Sequence, residues 1–354
     1  MSPLGARLKD MIAKSGPISM ARYMALCLGD PEHGYYTTRE PIGAAGDFVT
    51  APEVSQMFGE LIGLWCAVTW RQLGAPTAIN LVELGPGRGT LMKDALRAIQ
   101  AESDFSTALT LHLVETGTRL RAAQGRNLSG ASPSWHNDLT TLPPGPLIMV
   151  ANEFFDALPV HQYEMGKDGW RERQVTYSDG AFCGQLAEMP CALMRPGVPG
   201  DVFEQAPARS NYMTGIAARL ATEGGAALII DYGHAESANG DSLQAVRAHK
   251  AESIFAAPGL ADLTSHVDFA ALREAAAGVQ AHGPVTQGNF LQSLGIEARA
   301  ATLQRGATPQ QTQDISTALR RLLDSQQMGQ LFKVMAFNPL GNAPPAGFER
   351  AHAA

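Results

Sequence analysis

Cysteine is scarce in this chain and scattered. Four stand among 354 residues, Cys27, Cys66, Cys183 and Cys191, and no two form a C-x-x-C pair. That argues against a disulfide scaffold or a zinc ribbon. No His/Cys/Asp cluster has metal-ligand spacing, so no metal is expected. The thiols read as reduced groups of a cytoplasmic protein. Charge is sparse too, at 17% of residues, and leans acidic, with a net charge of −7. A large nucleic-acid footprint, which needs a basic face, is not expected. Long apolar runs are missing. The stretch 61–70 is too short to span a bilayer, and Lys9, Asp10 and Lys14 interrupt any signal-peptide core in residues 1–20. Membrane insertion is therefore not expected either. What is present is 45% hydrophobic residues, enough for one large or two modest folded domains. No internal repeat is visible.

The most informative stretch is 79–91. An apolar run, 79–84, suits a buried parallel strand. Gly85, Gly87 and Gly89 follow, with Pro86 between the first two. Leu91, Ala95, Leu96 and Ile99 then recur at helical spacing. Strand, glycine turn, helix is how an α/β sheet brings its backbone close to a nucleotide-like ligand. The dinucleotide fingerprint G-x-G-x-x-G fails here, because position 90 is Thr. Glu83 also stands two residues before the first glycine. Unit charges about 4 Å apart in a partly shielded site interact by roughly 4 kcal/mol, so a carboxylate there repels a pyrophosphate and suits a cation. Glu83-Leu-Gly-Pro-Gly-Arg-Gly89 resembles motif I of the class I S-adenosylmethionine (SAM) methyltransferases, and SAM carries a sulfonium and an ammonium. A ligand-free tight turn is the plain alternative.

Along the rest of the chain, residues 4–30 read as two short helices broken at Gly16-Pro17. The loop 43–53 offers Asp47, Phe48, Thr50 and Glu53 to a substrate pocket. Alternatively the polar three only cap a helix over 54–73, with Thr50 and Glu53 as a capping box. Strand two, 109–115, ends on Glu115, placed to accept from ribose hydroxyls or else to cap the next helix. A short third strand over 135–139 carries Asp138 and Leu139, candidates to face an adenine; a turn aspartate is the alternative. The fourth strand, 146–150, runs into Asn152-Glu-Phe-Phe-Asp156. Acids beside Phe154 and Phe155, at the carboxyl end of a central strand, suggest a site for a flat cation held by pairing and stacking.

A β-meander insert is expected over 161–186, then Pro-rich loop over 190–210, a helix over 212–222 and a fifth strand ending at Asp231. Stretch 236–265 reads as polar and irregular. His266 is either a pocket residue or part of a helix cap, with Ser265 or Asp268 as the cap itself. Helices follow over 269–277, 288–294 and 310–324, then an apolar strand over 328–337 that closes the sheet antiparallel, and a frayed tail.

Several stretches together resemble the MidA family: 46–53, 83–89, the octet Asn152-Glu-Phe-Phe-Asp-Ala-Leu-Pro159, 231–233, 262–269 and 328–335. The octet is the most specific. This resemblance implies a class I SAM-methyltransferase fold, Rossmann-like, with a seven-stranded sheet. It divides the chain into an N-terminal helical region (1–75) packing on the core, a methyltransferase domain (76–340) with inserts at about 161–210 and 236–325, and a flexible tail (341–354). It also implies SAM as cofactor, held by Glu83, Gly85, Pro86, Gly87, Gly89, Glu115, Asp138, Leu139 and Asn152. The implied activity is protein arginine Nω-methylation to symmetric dimethylarginine, with a core subunit of respiratory complex I as substrate in the mitochondrial members. Glu153, Asp156 and Asp231 are the expected clamp for the guanidinium, and His266 a candidate proton acceptor. Two other readings stay open: methylation of another planar nitrogen, in an amide or base, and a non-catalytic assembly factor that binds SAM structurally. The oligomeric state is open, a homodimer included.

Overall fold

Three apolar strands explain the architecture. β1 (Ile79–Leu84), β4 (Leu147–Asn152) and β5 (Gly225–His234) are buried along almost their whole length, as central parallel strands covered on both faces must be. Alternate residues enter different cores. Ile148, Val150, Leu228 and Ile230 face one core, and Leu147, Met149, Ala227 and Ile229 the other. Each of these side chains except Ala227 contributes about 1.5–3 kcal/mol of burial. The computed structural model describes residues 1–39 and 50–349. Among these, β2 (Leu109–Val114), β3 (Ser134–His136), β6 (Val279–Thr286) and β7 (Phe332–Pro339) complete the main sheet in the order 3-2-1-4-5-7-6. β7 runs antiparallel to β5 and β6, and the β1–β5 pairings are parallel. The two-residue strand Val267–Asp268 extends the sheet beside the end of β5. Strand order reverses between β1 and β4, where α/β sheets open a crevice at their carboxyl ends. This is the expected seven-stranded class I fold.

Helices Gln56–Gln72 and Thr90–Ile99 cover one face together with helices from the C-terminal insert; Pro207–Glu223 and Phe269–Ala275 cover the other. A third core lies apart. Helices Pro3–Ser15 and Met20–Gly29 bury Leu8, Tyr23 and Met24 against Val175 and Phe182 of the meander and Ala245 and Leu263. Helices Pro3–Ser15 and Met20–Gly29 thus build a second lobe with the inserts, while Gln56–Gln72 packs on the main sheet.

Several expectations are corrected. Residues 236–265 hold a small antiparallel sheet, Gln244–Arg247, Lys250–Glu252 and Asp262–Thr264. Two of its short strands bury one apolar residue each, Ala245 and Leu263, too few to show as a hydrophobic period. The stretch 190–210 contains strand Val202–Gln205, paired with His161–Gly166. The helix expected over 54–73 is two pieces, because Ser55 is extended and caps Met57. Thr50 makes no side-chain cap, so the capping box fails. The final strand begins at Phe332, after a helical turn Met328–Leu331, and β6 precedes it where no strand was expected. The tail is not frayed over 341–349: Phe348 is buried against Phe290, and Trp65 donates to the Ala346 carbonyl. Asp47 and Phe48 lie outside the described residues.

The glycine turn is seated by close packing of two helices. A Cβ on Gly63 would lie 2.4 Å from the Ala95 carbonyl oxygen, so the helix that follows the turn approaches as only glycine permits. Gly63→Ala is expected to cost about 1–3 kcal/mol by forcing the pair apart, read as a lower urea midpoint at unchanged slope. An unchanged midpoint would show that the helices yield freely.

Candidate active site

Strand ends converge on one cavity of about 630 Å³ between the main sheet and the second lobe. Its first wall is local sequence made into shape. Gly85, Gly87 and Gly89 take left-handed φ of 60°, 52° and 81°, which favours glycine. Gly85, Pro86 and Gly87 line the cavity, whereas Gly89 stands behind them as the N-cap of Thr90–Ile99. Gln124, fully buried, donates to the Gly87 carbonyl (2.8 Å) and to Glu115 (3.3 Å), tying the turn to the end of β2. Glu115 also accepts from the Gly117 amide at 2.7 Å.

Glu83 is the outlier of this wall. It is 3% exposed and lines the cavity, and its Oε2 has no hydrogen-bond partner among the described residues. Burial pushes its carboxyl up to about 8. A buried carboxylate without a partner is costly, and a ligand cation relieves it. Asn152 has the same character: its Oδ1 is buried and unpartnered among the described residues. Asp138 and Leu139, by contrast, are not brought to the cavity. Asp138 is solvent-exposed and caps a short 3₁₀ turn by accepting from the Thr140 amide, while Leu139 packs on the core behind β4. Asn137, one residue earlier, lines the cavity instead.

The second wall carries the acids. Glu153 has φ 50°, a conformation that costs a non-glycine residue about 1–3 kcal/mol and gathers at functional sites. Its Oε1 accepts from the Ala51 amide (2.9 Å) and Asn152 Nδ2 (3.1 Å). Burial pushes Glu153 up to about 7 and Asp156 up to about 6. Phe154 fills the space left by Gly85, where a Cβ would lie 2.7 Å from its ring, and meets Tyr212 edge-on at 5.1 Å. Thr50 and Glu53 line the cavity too; Glu53 accepts from Thr90 Oγ1 at 2.5 Å, so the contact that displaced the capping box joins this loop to the glycine turn.

Two expected site residues stand back from the cavity. Phe155 is fully buried in the core behind β4. Asp231 is fully buried as well. Its Oδ2 accepts from the amides of Phe155 (3.0 Å) and Asp156 (3.2 Å), and its Oδ1 from Tyr232 (2.9 Å). Asp231 thus holds the 152–156 turn in shape. Burial, with Asp156 and Glu153 nearby, pushes its carboxyl well above the usual range. His266 does line the cavity, edge-on to Tyr232 at 5.4 Å, and burial lowers its affinity for a proton.

Residues not foreseen complete the cavity from the second lobe. Tyr36 donates to Asp262 Oδ1 at 2.7 Å, and both line the space with Gln244, Thr264, Tyr212 and Tyr232. Tyr36 and Asp262 are far apart in sequence, so no local pattern joins them; Asp262 stands in a stretch that carries the family resemblance, whereas nothing in the sequence singled out Tyr36.

Comparison with known proteins agrees with this geometry. Residues 61–285 match a family described as "Putative S-adenosyl-L-methionine-dependent methyltransferase". "Protein arginine methyltransferase NDUFAF7 homolog, mitochondrial" of Drosophila melanogaster is 36% identical, over 98% of this chain and 88% of that protein. Its Homo sapiens counterpart, "Protein arginine methyltransferase NDUFAF7, mitochondrial", is 35% identical, over 96% and 84%. A crystal structure from Burkholderia thailandensis, described as a "likely methyl transferase" bound to S-adenosyl-homocysteine, superposes with TM-score 0.86 at 30% identity, covering 98% of this chain and 94% of that one. The curated relatives are named as mitochondrial, which overturns the cytoplasmic location read from composition and cysteines. Sheet order, cavity and near-full-length similarity lead to one statement: this chain belongs to that family of S-adenosyl-L-methionine-dependent methyltransferases.

Proposed function

We propose that this chain methylates a protein arginine at an Nω nitrogen. The observation that carries the reading is the gathering of Glu153, Asp156 and Asp262 with Tyr36, Phe154, Tyr212 and Tyr232 around one cavity whose other wall suits SAM. The names of the curated relatives support it. Several buried carboxylates among aromatic rings suit a planar cation that forks its hydrogen bonds and stacks.

The residues present fit the cofactor. The Glu83 carboxylate, buried and unpartnered at Oε2 among the described residues, would take the ammonium. Glu115 would accept from ribose hydroxyls, and the glycine turn lets backbone approach closely. When bound, SAM supplies an electrophilic methyl on a sulfonium. The chain's own task is then to hold the nucleophile in line, about 3–3.5 Å away. A guanidinium stays protonated in water and attacks poorly. Glu153 and Asp156 would pair with it, draw its charge to the nitrogens they touch, and leave the remaining nitrogen electron-rich. The charge that moves onto the substrate is met by the same acids. A carboxyl near 7, such as Glu153, accepts the proton released after transfer at neutral pH; His266, held neutral, is a second acceptor. A core subunit of respiratory complex I, implied by the MidA resemblance, is the first substrate to try.

Two outcomes test this reading. Free Glu83 near 8 is mostly protonated at pH 7, and a bound ammonium favours the carboxylate. Binding of S-adenosyl-homocysteine at pH 7 should therefore release about one proton, seen by calorimetry in buffers of different ionisation enthalpy. The affinity should weaken as pH falls from 8 to 6. Glu83→Gln should abolish the proton release, and release that persists in that variant removes Glu83 from the ammonium site. Second, Glu153→Gln should keep cofactor affinity but lower arginine methylation about tenfold or more, measured by mass spectrometry of extract from cells depleted of the protein. Methyl groups found on amide or base nitrogens instead would reassign the substrate.

A further inference from the structure

Arg209 is the one guanidinium that the structure buries beside the acid cluster without an ion pair at hydrogen-bond distance among the described residues. It starts on helix Pro207–Glu223 and is 5% exposed. Its bonds go to backbone and one hydroxyl. Nη1 donates to the His266 carbonyl (2.6 Å). Nη2 donates to the carbonyls of Asp156 (3.2 Å) and Ser265 (3.1 Å) and to Ser265 Oγ (2.6 Å). The Ser265 amide closes the loop by donating to the Asp156 carbonyl at 3.1 Å. Asp231 grips the same turn from the other side, through the amides of Phe155 and Asp156. The Asp156 turn is thus held by an anion at its amides and a cation at its carbonyl.

We propose that Arg209 is a positioning residue for the acceptor site, locking the Asp156 turn against the Ser265–His266 turn and so setting where the Asp156 carboxylate and the His266 ring stand in the cavity. The inference rests on the proposed function only for the name of the substrate. The geometry makes two demands that separate. The fork of the guanidinium bonds three carbonyls and a hydroxyl together, which a lysine ammonium with three donors at one point cannot reproduce. The positive charge faces Asp156, Asp231, Glu204 and Tyr232, with Glu153 next in line through Asp156 and Asp231. Tyr36, bonded to Asp262, faces Asp156 from the second lobe, and His234 and Lys333 face His266. Removing the cation leaves this acid group without its internal counter-charge, so Asp156 holds its proton to higher pH.

The full-length chain tests this with Arg209→Lys, Arg209→Met and Ser265→Ala. Folding is checked by thermal melting and cofactor affinity by calorimetry with S-adenosyl-homocysteine. The Asp156 titration is followed by carbon NMR on aspartate-labelled protein, assigned by the resonance lost in Asp156→Asn. Arg209→Met should raise the Asp156 midpoint by about one pH unit or more, and Arg209→Lys should leave it near the wild type. Transfer to depleted-cell extract from labelled SAM should fall about tenfold in Arg209→Lys, with cofactor affinity kept, and less in Ser265→Ala. An Asp156 midpoint unmoved in Arg209→Met, or wild-type transfer in Arg209→Lys, overturns the proposal. If Arg209→Met does not fold, the lysine and alanine variants still decide. If the wild type transfers nothing to arginine, the function fails while the NMR result still judges Arg209.

Discussion

The organising constraint of this molecule is buried negative charge. Glu83, Asp156 and Asp231 all lie near the carboxyl ends of central strands and are each less than a tenth exposed. Removing a carboxylate from water costs several kcal/mol unless something answers it. The answers differ in kind. Asp231 is met by three backbone amides, and Asp156 by the field of Arg209. Glu83 has an oxygen that the described protein does not meet. The first two solutions are structural, and the last suits a cationic ligand. One crevice in the sheet thus separates into a part that shapes the turn and a part suited to binding.

The division of the chain into two lobes follows from the same crevice. A class I sheet alone leaves its carboxyl edge open to solvent. Here the two N-terminal helices, the meander and the small sheet of 244–264 share their own core and are set over that edge. Glu204 fastens them by accepting from the amides of Ser242 and Leu243 and from Gln162. A polar strand that gains little from burial is thereby held where Gln244 and Thr264 face the cavity. Covering the site also strengthens every charge interaction within it, because water no longer screens them.

How far the sequence disclosed this depends on the range of each contact. β1 and the glycine turn were legible because everything that shapes them is local: an apolar run, then glycines where φ must be positive. Glu83 was legible by sign, since an acid there repels a phosphate. Asp231 was read as the end of its strand and part of a clamp, but the strand runs on to His234 and the carboxylate turns to three backbone amides, because strand position says nothing of which way a carboxylate points. Thr50 and Glu53 form a valid capping pattern, yet the hydroxyl of Thr90 outbid the helix end for Glu53. Arg209 was invisible. It fell in the stretch 190–210, read as Pro-rich loop, and its burial is created by a turn more than fifty residues later.

That difference in range separates the two halves of the reaction. The centre of the donor wall is a strand, turn and helix adjacent in sequence, and Gln124 ties it to Glu115 at the end of β2. The acceptor wall is assembled from at least four distant segments, with Tyr36 and Asp262 joined across 226 positions. A substitution in the second lobe can therefore reshape what is methylated while the glycine turn stays seated on its helices. The reverse does not hold, because Phe154 occupies the space over Gly85 and belongs to both walls. Any side chain at Gly85 pushes on Phe154, and through it on Glu153 and Asp156, so donor and acceptor geometry are coupled at this one contact.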